Sequence, residues 1–442
     1  MRAATSLIAA AAALGVTSAR AWQQCNIRDF GAKPNTQDAQ TEAIQSAIDA
    51  CGKAGGGEVL IPALGSGGTN WTSGSLFLRS DLIVRVQPGA ALLGSTSMDN
   101  TTYPRVYTRV GGTMTFSPAS LLNGARCQDL SGFDPSKIGD QCKQWNKLRN
   151  VTITGAAAGG GGPARPFAGA RPGAGVIDGQ GEGWWAHKDY RPTLMGLLWV
   201  DGLELFDLYV TRSPFWTMHP AFSSNVHAHG ITVRTTGPNT DGFDPDSCSN
   251  VLLERSDLSC GDDVVAIKSG KNEDGRAVGI PTRNVTVRDC VFGEGHGLSI
   301  GSEMSGNVTG VLIDNVTMTG TERGVRIKSG KGRGGVVADV TYRNMVLDSV
   351  GTPVSVSQLY TDPSSPGPAP TFRSIRVQGL TAKNMPSRAH AGDFQCLEES
   401  PCVDGIDVSG VSVDTGGWDC SNVRVTASDV SPAMPSSCTG SG

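Results

Sequence analysis

Short β-rich runs recur through this chain at intervals of a few tens of residues, and that recurrence limits the fold more than any other feature. From Asn150 onward the runs are Val151-Thr-Ile-Thr, Ile231-Thr-Val-Arg, Val251-Leu-Leu-Glu, Val285-Thr-Val-Arg, Val311-Leu-Ile-Asp, Val340-Thr-Tyr-Arg and Ile375-Arg-Val-Gln. Each has strand length, with turn residues between runs and a further apolar run some residues on. Asp263-Val-Val-Ala-Ile-Lys-Ser-Gly and Arg323-Gly-Val-Arg-Ile-Lys-Ser-Gly make the repetition explicit. Such a period means a solenoid, in which each turn buries its apolar face against the next. Helical solenoids need amphipathic helices. Here only Thr41 to Cys51 is a candidate, with Ala43, Ile44, Ala47 and Ile48 at helical spacing. The stacked element is therefore a parallel strand, and the predicted fold is all-β: a single-stranded right-handed parallel β-helix with a short N-terminal capping helix. Loops on one side of such a solenoid can build a groove.

The chain opens on Met1-Arg2, an apolar, alanine-rich run to Val16 and small residues up to Ala21, so residues 1–21 read as a secretory signal peptide. Residues 22–442 then form one elongated domain, in which the Gly/Ala/Pro-rich stretch 156–175 reads as an inserted loop. No later stretch is long and apolar enough to span a bilayer, so the mature protein is expected to be secreted, extracellular and free of membrane. The 11 cysteines suit an oxidising compartment. Near neighbours in sequence are expected to pair: Cys25 with Cys51, Cys127 with Cys142, Cys396 with Cys402, Cys420 with Cys438. Of the remaining Cys248, Cys260 and Cys290, one is expected to be a free buried thiol. With no C-x-x-C pair and only 6 histidines there is no zinc signature, and neither metal nor cofactor is expected.

Sequons at Asn70, Asn100, Asn150, Asn284, Asn307 and Asn315 permit glycosylation, although four of them read Asn-Val-Thr, as repeating strand starts would. A formal net charge of −4 excludes a generally basic nucleic-acid binder. It also gives no bulk attraction for an acidic polymer, so any anion recognition must be local.

Four short segments hold nearly all the polar clusters that repetition leaves unexplained: Asn239-Thr240-Asp241, Gly261-Asp262-Asp263, Gly295-His296-Gly297 and Arg326-Ile327-Lys328. Asp262 to His296, and His296 to Arg326, are each about one turn apart, so these residues can stack on neighbouring coils of one face. Paired carboxylates are what glycosidic inversion requires, one giving a proton to the leaving oxygen while another activates water from the opposite side. Crowding among Asp241, Asp262 and Asp263 should raise at least one carboxyl pKa. Adjacent residues of a regular strand point to opposite faces, so Asp262 and Asp263 can both reach a groove only at a turn or bulge, for which Gly261 is the place. Alone, each piece has a plain structural reading: a solvated Asp-Asp turn, an Asn-capped turn, a structural histidine, a half-exposed strand. Glycines on both sides leave His296 unshielded, and Arg326 with Lys328 on one face makes a two-cation carboxylate clamp.

In their order, Asn239-Thr-Asp-Gly-Phe-Asp-Pro-Asp246, Gly261-Asp-Asp-Val264, Gly295-His-Gly-Leu-Ser-Ile-Gly-Ser-Glu303, Arg326-Ile-Lys328 and Tyr360 resemble the polygalacturonase-type pectinases of glycoside hydrolase family 28, as does the upstream Ile177-Asp-Gly-Gln-Gly-Glu-Gly-Trp-Trp185. The resemblance implies a right-handed parallel β-helix and metal-independent, inverting hydrolysis of α-1,4-galacturonosyl bonds. The implied partner is pectin or polygalacturonate, with no nucleic acid, and a monomer is expected. It further implies that Asp262 is the general acid and that Asp241 and Asp263 position and deprotonate water. His296 would support the acid, Arg326 and Lys328 would bind the galacturonate carboxylate, and Tyr360 would contact substrate. Val264 stands where fungal-type endo enzymes usually carry a cysteine. The string Gly301-Ser-Glu-Met-Ser-Gly306 and the Phe243-Asp-Pro-Asp246 extension look more like the bacterial and plant-like branch, in which exo action is common. Exo action is therefore expected, with the 156–175 insert closing one end of the groove. The competing readings are a rhamnogalacturonan or xylogalacturonan hydrolase on the same fold, a calcium-dependent pectate lyase, and a non-catalytic β-helix acting as a polysaccharide-binding protein or adhesin.

Overall fold

The structure is a computed structural model and describes residues 22–65, 67–125, 147–157, 173–187, 191–387 and 389–440. The signal segment, the Cys127–Cys142 pairing and most of the 156–175 insert lie outside these residues.

The stacked strands are parallel, as the recurrence requires. Along one side of the coil, Val151 registers with Leu203, Val226, Val251, Val285, Val311, Val340 and Ile375 in turn. These side chains are all buried and stack into one apolar column. The predicted run at Ile231 belongs to a different column: Val233 registers with Val210 and Leu258, just past a corner of the coil. Sequence similarity between the two columns hides this, because both are half-buried strands with the same alternation.

The short strands Val265–Ile267, Leu298–Gly301, Arg323–Lys328, Thr352–Ser357, Gly392–Gln395 and Trp418–Ser421 form a second parallel sheet. Bridges from Phe243 to Met218 and to Val265 join it to the strands Met218–Ala221 and Met195–Leu198 of earlier coils. In this column Val265 pairs with Leu298 and Leu298 with Val325. The two look-alike octapeptides thus lie two coils apart, Asp263 above Arg323 and Lys268 above Lys328.

Corners between columns demand a left-handed backbone, which costs about 1–2 kcal/mol for most residues and least for Gly, Asn and Asp. Asn225, Asn250 and Asn284 occupy successive corners at φ 54°, 56° and 55°. Their amides form a ladder: Asn225 donates to Asp201 at 2.7 Å, Asn250 to Asn225 at 3.0 Å and Asn284 to Asn250 at 2.8 Å. Asn150, Asn307 and Asn315, three of the Asn-Val-Thr asparagines, have φ of 52°, 79° and 55° for the same reason. Repetition of the corner accounts for the recurring tripeptide.

The end of the solenoid is sealed as expected. Thr41–Lys53 is helical and buries Ile44, Ala47, Ile48 and Cys51, and Cys51 is joined to Cys25. Disulfides also join Cys396 to Cys402 and Cys420 to Cys438. Cys248, Cys260 and Cys290 are all free, which corrects the expectation of a single unpaired thiol. Each is buried in the central coils, and burial pushes Cys248 and Cys290 up to about 12 and Cys260 well above the usual range. Among the described strand pairs one is antiparallel, the hairpin Arg105–Val110 with Thr113–Pro118, which reaches across earlier coils to the functional face. None of the described helices is long and apolar enough to cross a membrane.

Candidate active site

The second sheet and the segments leading into it bring Asp241, Asp262, Asp263, His296, Arg326, Lys328 and Tyr360 to one face. Asp262 and Asp263 sit in a bend just before Val265–Ile267, so neither is bound by strand alternation. Gly261 is needed there for close approach: a Cβ would lie 2.1 Å from the Gly237 carbonyl oxygen. His296 is held one coil on, its N–H bonded to the Asp262 carbonyl at 2.7 Å, and Gly297 at φ 94° passes so near the Arg323 carbonyl that any side chain would collide.

Asp263 is almost fully buried and charge-compensated. Lys328 Nζ lies 2.6 Å from its Oδ2, Arg326 Nη1 lies 3.3 Å from its Oδ1, and the Ser299 hydroxyl donates to Oδ1 at 2.8 Å. The Tyr360 ring stands 5.1 Å from Lys328 Nζ and 6.0 Å from Arg326 Cζ, half-exposed over the two cations.

Asp262 is more open and pairs with His296, whose Nδ1 is 2.9 Å from its Oδ1. Glu322 lies 3.6 Å from the other ring nitrogen. Burial opposes ionisation of Asp262, but the His296 hydrogen bond and charge, with Lys328, override it and hold the carboxyl at about 2. The same hydrogen bond raises His296 above its ordinary value against a smaller burial effect. The proton of this pair therefore resides on the imidazole.

Asp241 behaves oppositely. Burial, only partly offset by Lys268, pushes it up to about 7, with the charges of Asp262 and Asp263 adding. The fully buried Asp244 is raised well above the usual carboxylate range, by burial first and then by Asp241 itself. Neither Asp244 oxygen nor Oδ1 of Asp241 has a hydrogen-bond partner among the described residues. Two buried carboxyls in this state hold at least one proton between them. The like-charge crowding expected from sequence thus falls on Asp241, with burial as the leading cause.

Several site residues escaped the sequence reading. Lys268 is buried 3.3 Å from Asp241, 3.8 Å from Asp244 and 3.5 Å from Glu303, and lies 4.3 Å from the centroid of the Trp216 ring. Its alignment with Lys328 in the paired octapeptides was the available signal. Arg191 donates to Asn239 Oδ1 at 2.6 Å, and Asn239 in turn donates to Asp262 at 3.2 Å. Nothing in its local sequence marks Arg191, because it arrives from two coils earlier. Asp262, Asp263 and His296 also present ligand atoms within 4.8 Å of one another, but the oxygens of Asp263 are engaged by Ser299 and two cations, which disfavours a metal ion there.

Comparison with known proteins agrees with this architecture. A "Probable polygalacturonase" of Vitis vinifera is 29% identical over 430 residues, covering 91% of this chain and 78% of that protein. An "Endo-polygalacturonase" of Pectobacterium carotovorum subsp. carotovorum is 35% identical over 232 residues, 48% of this chain, which spans only 55% of that relative's length. The crystal structure of an exopolygalacturonase from Thermotoga maritima superposes with TM-score 0.72 over 92% of this chain and 91% of its own, at 24% identity, a likeness of fold. The profile of glycosyl hydrolases family 28 matches residues 169–429, which include every residue of the site. With more than half of its length matched, and the site's acids and cations assembled on a right-handed β-helix, the chain belongs to glycosyl hydrolases family 28.

Proposed function

We propose that this protein is a secreted polygalacturonase that hydrolyses α-1,4-galacturonosyl bonds of pectin with inversion, acting from a chain end. The observation that carries this reading is the placement of Arg326 and Lys328 on Asp263, beside the Asp262–His296 pair. A neutral sugar has no use for two largely desolvated cations next to the acids. A uronate carboxylate does, and Tyr360 offers a ring face above them.

In the proposed reaction the substrate carboxylate draws Arg326 and Lys328 toward itself, which frees the Asp263 oxygens they now engage to accept from water. Below pH about 7 Asp241 carries a proton, so Asp263 is the carboxylate left to deprotonate water. The proton on His296 Nδ1 passes along the 2.9 Å hydrogen bond to Asp262 and on to the glycosidic oxygen as the C–O bond breaks. Water attacks the anomeric carbon from the opposite face and gives its proton to Asp263, with Asp241 bonded to the water oxygen. Exchange with solvent returns Asp262–His296 and Asp263 to their starting states.

The chain-end mode is supported by the hairpin. Its tip at Gly112 packs against Glu303 and Lys271, and the Lys271 N–H bonds to the Gly112 carbonyl at 2.8 Å, so a wall stands at the Lys268 side of the acids. Asp262→Asn should lower kcat by at least the 10²-fold typical of general-acid loss while binding of galacturonate oligomers, measured calorimetrically, persists. Undiminished hydrolysis by that variant removes the assignment of the acid. Timed sizing of products from polygalacturonate reads the mode: early monomer or dimer supports it, and a spread of oligomers at early times defeats it.

A further inference from the structure

Away from the groove, a second group of chemistry-bearing side chains lies on the outer face of the large sheet. Strand Ser224–His229 buries Val226 and Ala228, so alternation turns His227 and His229 outward together. Their rings are 4.4 Å apart between centroids. On the preceding coil, Glu204 registers directly with His227, and its Oε1 lies 3.6 Å from His229 Nε2. One ligand atom from each of Glu204, His227 and His229 falls within 4.8 Å of the others. We propose that these three residues form a binding site for a divalent transition-metal ion of the zinc class, separate from the catalytic groove.

Three observations carry the proposal beyond mere proximity. The first is ligand type: two imidazoles and one carboxylate are the donor set that zinc, nickel and copper(II) favour, and one that calcium and magnesium do not. The second is orientation. The His229 ring stacks on Phe206 at 5.2 Å with only 3° between planes, which fixes its plane, and Thr152 lies 3.5 Å from the other Glu204 oxygen. The third is outer support for His227. Its Nε2 sits 3.1 Å from Oε1 of Glu254, a side chain 4% exposed. Arg288 holds the other Glu254 oxygen at 2.7 and 2.9 Å, and Arg255 also pairs with Glu254. A carboxylate anchored by two arginines beside one imidazole nitrogen holds the His227 ring in place, the kind of support metal-bound histidines ordinarily show. The ion would bridge the coils of Glu204 and of the histidines, and three protein ligands leave room for water or a further group to complete a tetrahedron.

The test is calorimetric titration of the full, tag-free protein with zinc chloride, repeated with calcium chloride. The expected result is one equivalent of zinc bound, with no saturable heat from calcium. His227→Ala/His229→Ala should abolish the binding, and Glu254→Gln should weaken it by roughly 10- to 100-fold, as loss of an outer-shell partner does. His296→Ala should bind zinc as the parent does, which separates this site from the acid cluster of the groove. Circular dichroism of the metal-free variants checks that they fold. Should the double variant fold poorly, copper(II) bound to the parent must show hyperfine coupling to two imidazole nitrogens in electron paramagnetic resonance. Absence of saturable zinc binding by the parent, or binding that survives the double substitution, overturns the proposal.

Discussion

Asp241 is where stability and chemistry conflict. A carboxyl raised from 3.8 to about 7 in the folded state stabilises the fold fully only below its unfolded pKa, and that contribution is lost as pH rises toward 7 and beyond. Asp241→Asn should therefore raise the melting temperature relative to the parent at pH 7, and the gain should shrink toward pH 4, as thermal melts at the two pH values will read. An equal shift at both would mean that the site imposes no such cost. The acids, His296 and the Arg-Ile-Lys strand were readable because chemistry restricts their residue types and the coil period restricts their spacing. Lys268, Asp244 and Arg191 were not. Their importance comes from charge compensation inside the coil, which neither the repeated octapeptide that holds Lys268 nor the Phe243-Asp-Pro-Asp246 string that holds Asp244 discloses by itself. The cysteine expectation erred for a related reason: parity suggests a pair among three, but parity does not say which thiols meet, and none of these three does.

At the scale of elements, the corner asparagines do two jobs, adopting a left-handed backbone and passing hydrogen bonds from coil to coil. Asn250→Ala should destabilise the protein by about 2–4 kcal/mol, from the backbone cost of alanine in that region and the two lost ladder contacts. Asn250→Gly separates the contributions, since glycine removes the backbone cost and leaves only the ladder loss. Denaturant titration of both variants measures this, and equal stabilities would assign the whole effect to the ladder. Strands were legible from alternation, and the capping helix from its four apolar positions. Assignment of a strand to its column was not, because Thr232–Arg234 and Ser249–Glu254 carry the same pattern and differ only in which corner precedes them. The hairpin was missed for the opposite reason: its strands are partly exposed and lie outside the repeat, and its buried Arg109 is paired with Asp246 and Asp274, partners more than a hundred residues away.

The molecule as a whole is a stack sealed by the helix at one end and walled on its functional face by that hairpin. Shortening the hairpin to a tight turn between Arg105 and Pro118 should open the wall, so that early products on polygalacturonate shift from monomer or dimer toward longer oligomers. An unchanged product profile would assign the chain-end mode to another segment. A solenoid of this kind has no single centre: each coil depends on its neighbours, so opening in the middle exposes what lies between them. Cys248, Cys260 and Cys290 lie in the coils that carry the acids, buried and held in the unreactive thiol form. An alkylating reagent can reach them only when those coils part. The rate at which they are modified, read by mass spectrometry with and without galacturonate oligomers, is thus a native gauge of how often the catalytic segment breathes and of how far substrate holds it shut.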